Sequence, residues 1–410
     1  MTRTVVVGAG LVGICCAQAL SDRGHRVTLL DKETPAQQTS RWNAGVLATS
    51  SVIPLNNPAL FSDLPRLVTG RHPGFRVHLR SAPRLLPWAI RFLNNSRRSR
   101  SERSIRALTE LIGYARTQHD LLTSRAGFDG LEAKGWLILY RGREGIARAT
   151  SHSKRLHDRD VAAEVVTPAD IARLEPTLRP CFGGGVHVTG AAHADPRALG
   201  RAYVDLAVLS GVTLRQASVS GLSKRADGWR VALSDGEDGP FDHVVLALGP
   251  WTNDLLAPLG PPLPLAVERG YVQIFASAGA LVRPFFDVDG GYVAAPRPGG
   301  IQISTGTELT HLNSPPSPSM CDAAVAAARD ALAFGTPAQA TPAVGNRPTL
   351  PDSLPAIGPI RRHPGLWVAA GHQHIGFSTS AGTGGLLADL IEGRPPAIDP
   401  RPYAPGRFGL

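Results

Sequence analysis

Residues 4–33 read TVVVGAGLVGICCAQALSDRGHRVTLLDKE, and the rhythm of their apolar side chains changes twice. Thr4 to Val7 suit a buried strand, Leu11 to Arg23 carry helical spacing ended by Gly24, and Arg26 to Leu30 suit a second strand closing on Asp31. This is a βαβ unit. Gly8 permits the tight turn out of the first strand, Gly10 lets the backbone approach a pyrophosphate, and Gly13 lets the helix close on the sheet. Phosphates would rest on the helix N-terminus at Leu11 and Val12, where free N–H groups and the helix dipole favour negative charge. Asp31, with Lys32 beside it, stands 18 residues after the last of these glycines, where a carboxylate can accept bonds from a ribose diol. The unit therefore implies a bound adenine dinucleotide and leaves NAD and FAD both open.

Working outward, the 410 residues are too many for one ordinary core, and 43% hydrophobic with 19% charged residues is a globular composition with material for two compact units. The net charge of +10 could point to nucleic acid, an anionic membrane or an acidic ligand. Only Lys32, Lys134, Lys154 and Lys224 among the 43 basic residues are lysines, so arginine bias accounts for much of the excess and no nucleic-acid role is expected. Cys15, Cys16, Cys181 and Cys321 lack CxxC or Cys/His spacing, which points to reduced thiols in a reducing compartment. Arg3 and the run from Val5 to Leu20 mimic a signal peptide, but the glycines fit a nucleotide turn better. No apolar run reaches the roughly 18 residues of a membrane span, and a cytoplasmic protein is expected.

The loop after the second strand, TPAQQTSRWNAGVLATS at 34–50, is dense in small and hydroxyl side chains that can bond a ribityl chain and phosphates. Here the sequence resembles the D-amino-acid-oxidase-like family of FAD enzymes, and within it the bacterial D-amino acid dehydrogenases. In that family a TS…NAG segment runs along the flavin, which implies this role for Thr39, Ser40, Asn43, Ala44 and Gly45. The resemblance continues at HADPRALGRAYVDLAVLSGVTL (193–214), where Asp195 and Pro196 open a helix that Gly211 ends. It continues at HVVLALGPWTNDLL (243–256), with Gly249 and Trp251 at a turn over the adenosine end, and at NRPTLPDSLPAIGP (346–359).

The fold expected is α/β plus α+β: a Rossmann-type FAD-binding domain from 1–65, 194–262 and 338–410, and a substrate domain from 66–193 and 263–337. Segments 135–141, 184–190, 270–276, 291–296 and 301–305 suit strands of a mainly antiparallel sheet in the second domain, so the chain passes between the two more than once. Residues 66–106 hold eleven arginines against one acid, Glu102, with Leu85, Leu86, Trp88, Ile90, Phe92 and Leu93 interleaved. They suit either contact with an anionic membrane, where a quinone would collect electrons, or an amphipathic helix covering the substrate domain. Pro83 and Pro87 break the helical period, which favours the second.

The implied chemistry is oxidation of an amine by hydride transfer to flavin N5, for which no strong base is needed if the amine binds neutral. A carboxylate held away from water wants a planar guanidinium. Arg347 falls where the family places its carboxylate-binding arginine. Tyr271 in ERGY and Tyr292 in GGYVAA are candidates to orient the substrate or plain strand aromatics.

The stretch GHQHIGFSTSAGTGG at 371–385 supplies His372, His374, Ile375 and Gly376 to the flavin wall. Ser378, Thr379 or Ser380 would cap a helix beginning near Ala381 and aimed at the flavin N1 and C2=O. His372 and His374 lack the further ligands a metal needs, so metal is rejected. His374 stands where some amine-oxidising relatives carry a substrate-gripping arginine, and contact with flavin or substrate amine competes with a plain loop role.

No cysteine falls in these segments, so the FAD is expected to be noncovalent. Of the lysines only Lys32 falls in the expected cofactor segments, which favours a dehydrogenase passing electrons to a quinone or another carrier. The substrate expected is a D-amino acid, cyclic ones such as D-proline or hydroxy-D-proline included. A glycine or sarcosine type oxidase using O2 and a non-catalytic flavin electron-transfer protein are the alternatives.

Overall fold

A computed structural model describes residues 1–68, 72, 74–277, 279, 281–317 and 319–410; Arg71 of the arginine-rich stretch lies outside them. The elements that build the site are β1 (Arg3–Val7), α1 (Leu11–Ser21), β2 (Arg26–Asp31), α2 (Ala82–Asn95), α3 (Arg98–Arg125) and α4 (Pro196–Leu209). They continue with β3 (Thr213–Gln216), β4 (His243–Leu246), β5 (Ala266–Ala276), β6 (Ala343–Thr349), β7 (Ala356–Pro359), β8 (Leu366–Ala370) and α5 (Gly376–Ile391).

Val5 and Val6 of β1 are fully buried, and β1 pairs in parallel with β2 on one side and β4 on the other. The six-stranded sheet runs β7-β8-β4-β1-β2-β3, with β7 antiparallel at its edge. Such a sheet needs cover on both faces. One face is closed by α1, whose Leu11, Ile14 and Leu20 join a core with Leu199 and Tyr203 of α4 and Leu386 and Leu387 of α5. α4 starts as its sequence asks: the Asp195 carboxylate accepts from the N–H groups of Arg197 and Ala198, at 3.0 Å each, and Pro196 needs no partner.

A second, ten-stranded sheet contains β5 together with Trp136–Arg141, Phe182–Val188, Tyr292–Arg297 and Gly300–Thr305. Most of its pairs are antiparallel; Phe285–Asp287 runs parallel to Trp136–Arg141, and Thr307–Thr310 to Phe75–Val77. β6 hydrogen-bonds along β5 in this sheet although its residues lie in the segment expected to bind the nucleotide. α3, from the segment expected in the substrate domain, packs on α5, where a Cβ on Gly382 would come within 2.8 Å of Ala115 Cα.

Two local expectations are corrected. Pro83 and Pro87 do not interrupt α2, which is one helix from Ala82 to Asn95. Pro83 lies in the first turn, where no N–H is required, and the bond missing at Pro87 is offset by burial of Leu85, Trp88 and Phe92 and by the Trp88 indole donating to the Thr349 carbonyl at 3.2 Å. Likewise α5 begins at Gly376, five residues before Ala381, without a side-chain cap. Ser378 and Thr379 lie inside it: Ser378 Oγ donates to the Val46 carbonyl and accepts from the Ala48 N–H, and Thr379 donates back to the Ile375 carbonyl.

His119 of α3 is wholly buried among these helices, with Nδ1 2.8 Å from the Tyr203 hydroxyl. Burial pushes its pKa down to about 4, and burial does the same for His152 and His193. Between the ordinary histidine value of 6.5 and about 4 the unfolded chain therefore binds protons that the folded chain refuses. Stability is expected to fall as pH is lowered through that window. Melting temperatures of the wild type and His119→Gln across it should show a shallower loss in the variant, by up to roughly 1.4 kcal/mol per pH unit.

Candidate active site

A cleft lies between the two sheets with about 1510 Å³ of empty space, its open mouth included. At one end Gly8 turns with φ +107, and a Cβ on it would stand 2.4 Å from the Ala247 carbonyl oxygen. On Gly13 a Cβ would stand 1.8 Å from the Gly8 carbonyl oxygen, so only glycine lets α1 sit this low. The N-terminus of α1 has Gly10 as an uncapped N-cap. Leu11 N–H donates to Ser40 Oγ at 3.1 Å, and Ala9 N–H to Asp31 Oδ2 at 2.6 Å. Lys32 Nζ lies 5.4 Å over the Trp251 ring, and both line the cleft.

At the other end the N–H groups of the first turn of α5 open toward the cleft at Gly376 and Phe377. Before it, Gln373 holds a left-handed backbone (φ +51), and its buried side-chain Nε2 has no hydrogen-bond partner. His372 is buried with Nε2 3.0 Å from Thr383 Oγ1, and burial drives its pKa down to about 3, so it is neutral at physiological pH.

The β5–β6 wall completes the cleft. Gly270 and Val272 face it, and a Cβ on Gly270 would meet the Arg347 guanidinium at 2.4 Å. Arg347 donates to the Gly306 carbonyl at 3.4 Å; burial lowers its pKa and the Glu268 charge partly restores it. Glu268 pairs with Arg347 across the strands, is 2% exposed, and has one carboxylate oxygen without a hydrogen-bond partner, 3.9 Å from His374 Nδ1.

Of the residues singled out in the sequence, the structure gathers Gly8, Gly10, Leu11, Val12, Asp31, Lys32, Thr39, Ser40, Asn43, Gly249, Trp251, Arg347, His372, His374 and Gly376 along this cleft. Others stand elsewhere. Gly13 packs α1 on the turn, as its spacing implies. Gly45 turns with φ +79 against the Ala194 carbonyl, Ala44 packs on the core, and Ile375 is buried beneath the turn before α5.

Tyr271 and Tyr292 are corrected. Alternation along β5 puts Tyr271 on the face opposite Gly270 and Val272, where its hydroxyl donates to Glu308 at 2.6 Å and accepts from the Ser317 N–H. Burial, then Glu308, raises its pKa. Tyr292 is fully buried in the core of the second sheet, edge-on to Phe285.

Residues that sequence reading missed are Gln38, Trp42, Ala217, Ser218, Val219 and Gln373, which line the cleft, and Glu268 behind it. A positive φ at Gln373 has no signal in a glutamine codon. Glu268 stood in the quoted ERGY motif, but its approach to Arg347 depends on register.

A family profile described as DAO: FAD dependent oxidoreductase matches residues 3–390. The chain belongs to that family. It is 31% identical to a D-amino-acid oxidase of Bradyrhizobium diazoefficiens, over 98% of each chain, and 31% identical to a D-amino acid dehydrogenase of Xanthobacter autotrophicus, over 99% of each. In fold it is similar to glycine oxidase from Geobacillus kaustophilus (TM-score 0.74, 22% identity, 98% of each chain). L-proline dehydrogenase from P. horikoshii is similar too (TM-score 0.73, 18% identity, 100% of this chain and 98% of that one).

As a DAO-family member the protein is an FAD-dependent amino acid oxidoreductase. The cleft fits that cofactor on its own evidence. Two uncapped helix N-termini open into one long cavity, α1 suited to a pyrophosphate and α5 to a ring edge that gains negative charge, and the orphaned Gln373 amide lies beside the second. Asp31→Ala is expected to weaken FAD binding by roughly 10-fold or more, since a charged hydrogen bond contributes about 1.5–3 kcal/mol. Reconstitution of the apoprotein followed by flavin fluorescence measures it, and an unchanged Kd would take Asp31 out of cofactor binding.

Proposed function

We propose that the protein dehydrogenates D-amino acids, with Arg347 as the group that holds the substrate carboxylate. The observation that carries this reading is a half-buried guanidinium in the cleft wall whose hydrogen bonding to the described residues is one long bond to Gly306, which leaves N–H groups for a planar two-oxygen partner. The names of the relatives at 31% identity agree with an α-amino acid of D configuration.

FAD, held noncovalently, supplies the two-electron oxidation of the carbon–nitrogen bond. The chain's own part is to bind and orient. Arg347 fixes the carboxylate at the β5–β6 wall. Glu268 keeps negative charge behind Arg347, and His374, 38% exposed on the cleft side, contacts the amino group or the ring. Neutral His372 is held by Thr383 as part of the ring wall.

Electrons then pass to a quinone or another carrier. In support, among the described residues that line the cleft the one lysine is Lys32, engaged with Trp251 at the opposite end from Arg347.

Arg347→Ala is expected to raise KM by roughly 100-fold or more while FAD stays bound, the size of a lost charge-assisted pair. Steady-state kinetics with a dye acceptor measures it, and a near-normal KM would remove Arg347 from the site. A panel of D- and L-amino acids, D-proline and hydroxy-D-proline among them, should bleach the flavin anaerobically with a preference for the D series. Bleaching by none of them would overturn the activity, and rapid peroxide formation in air would overturn the acceptor.

A further inference from the structure

α2 is apolar on two opposite faces. Leu85, Trp88 and Phe92 point inward, onto Ala266 and Leu309 of the substrate sheet. At roughly 100° per residue, the opposite side carries Pro83, Leu86, Pro87 and Ile90, spaced i, i+3, i+4 and i+7. All four are exposed, Leu86 by 58% and Ile90 by 59%. A surface helix normally places its polar residues there. In α2 the arginines stand at one flank instead: Arg84 and Arg91, spaced i and i+7, border the stripe on the same side, and Arg97 and Arg98 follow it into α3. All four arginines are exposed, and none closes an ion pair with a described carboxylate.

The stripe runs, at Arg91 and Asn94, into a groove that Arg100, Arg103 and Arg106 also line. Of the acids in that groove, Asp352 is paired with Arg407 and Asp399 with Arg401, which leaves Glu110 against the arginines.

We propose that this face of α2 docks on the surface of an anionic phospholipid bilayer. Leu86 and Ile90 enter the boundary between headgroups and acyl chains, and the flanking guanidiniums bond lipid phosphates, which their fork geometry suits. A second copy of the chain is the poorer occupant, because two such faces would bring unpaired arginines of a +10 chain against each other. An apolar stripe with a cationic row along its flank is the pattern of a helix lying in a membrane interface. The assignment is independent of which amino acid is oxidised.

The test is co-sedimentation of the holoenzyme with vesicles of phosphatidylcholine alone and of equal parts phosphatidylcholine and phosphatidylglycerol. The wild type should bind the second and not the first, and raised salt should release it. Leu86→Ser/Ile90→Ser and Arg84→Gln/Arg91→Gln should each weaken binding by about 10-fold, with turnover on a water-soluble acceptor unchanged. Absence of wild-type binding to the anionic vesicles, or binding by both double variants as tight as that of the wild type, would overturn the proposal. So would sedimentation velocity showing a dimer that Leu86→Ser/Ile90→Ser dissolves.

Discussion

The structure depends on backbone-to-backbone contact around α1, at places where a side chain has no room. Gly13 sits against the Gly8 carbonyl beneath the helix, and above it a Cβ on Gly384 of α5 would stand 2.4 Å from the Cys15 carbonyl oxygen. α1 is thus pressed between β1 and α5. This sandwich brings the N-termini of both helices to one cleft. Hydrophobic burial supplies the driving force, since Ile14, Cys16, Ala17 and Leu20 have no solvent exposure, but the glycines set how close the elements come.

The second constraint joins the cofactor loop to the substrate sheet. Arg297 donates to the Asn43 carbonyl at 2.5 Å and to Gln302 at 2.9 Å, while Gln302 donates to the Trp42 and Asn43 carbonyls. Burial lowers the Arg297 pKa to about 10, and Asp195 at 3.5 Å offsets part of that cost. On its other side the loop pairs Val46 and Leu47 with Ala192 and His193 and is bonded twice by Ser378. A loop tied to two sheets and to α5 holds Thr39 to Asn43 along the cleft, which is the preorganisation a reaction between two bound molecules requires.

Charge is distributed to match. The cleft wall holds Arg347 with Glu268 behind it, whereas much of the arginine excess sits at the surface on α2 and the start of α3. A protein that docks there and hands electrons to a lipophilic carrier would place its outer face beside that carrier.

The βαβ unit was legible because its signals are local: glycines at fixed offsets, apolar periods of two and of 3.6, and a carboxylate at the end of β2. Five of the ten strands of the second sheet were legible for the same reason. Two elements escaped because long-range contacts outweighed their local signals: α5 starts at Gly376 because Ser378 and Thr379 find backbone partners inside the helix, and α2 runs through Pro87 because its inner face is buried. The cleft's inner wall was a matter of register. Whether a residue of β5 faces cofactor or core depends on parity, and which residue of β6 lies opposite depends on alignment with a strand some 80 residues away. Hence Arg347 could be placed from its motif, while the turn of Tyr271 away from the cleft and the position of Glu268 opposite Arg347 were decided only when the two strands paired.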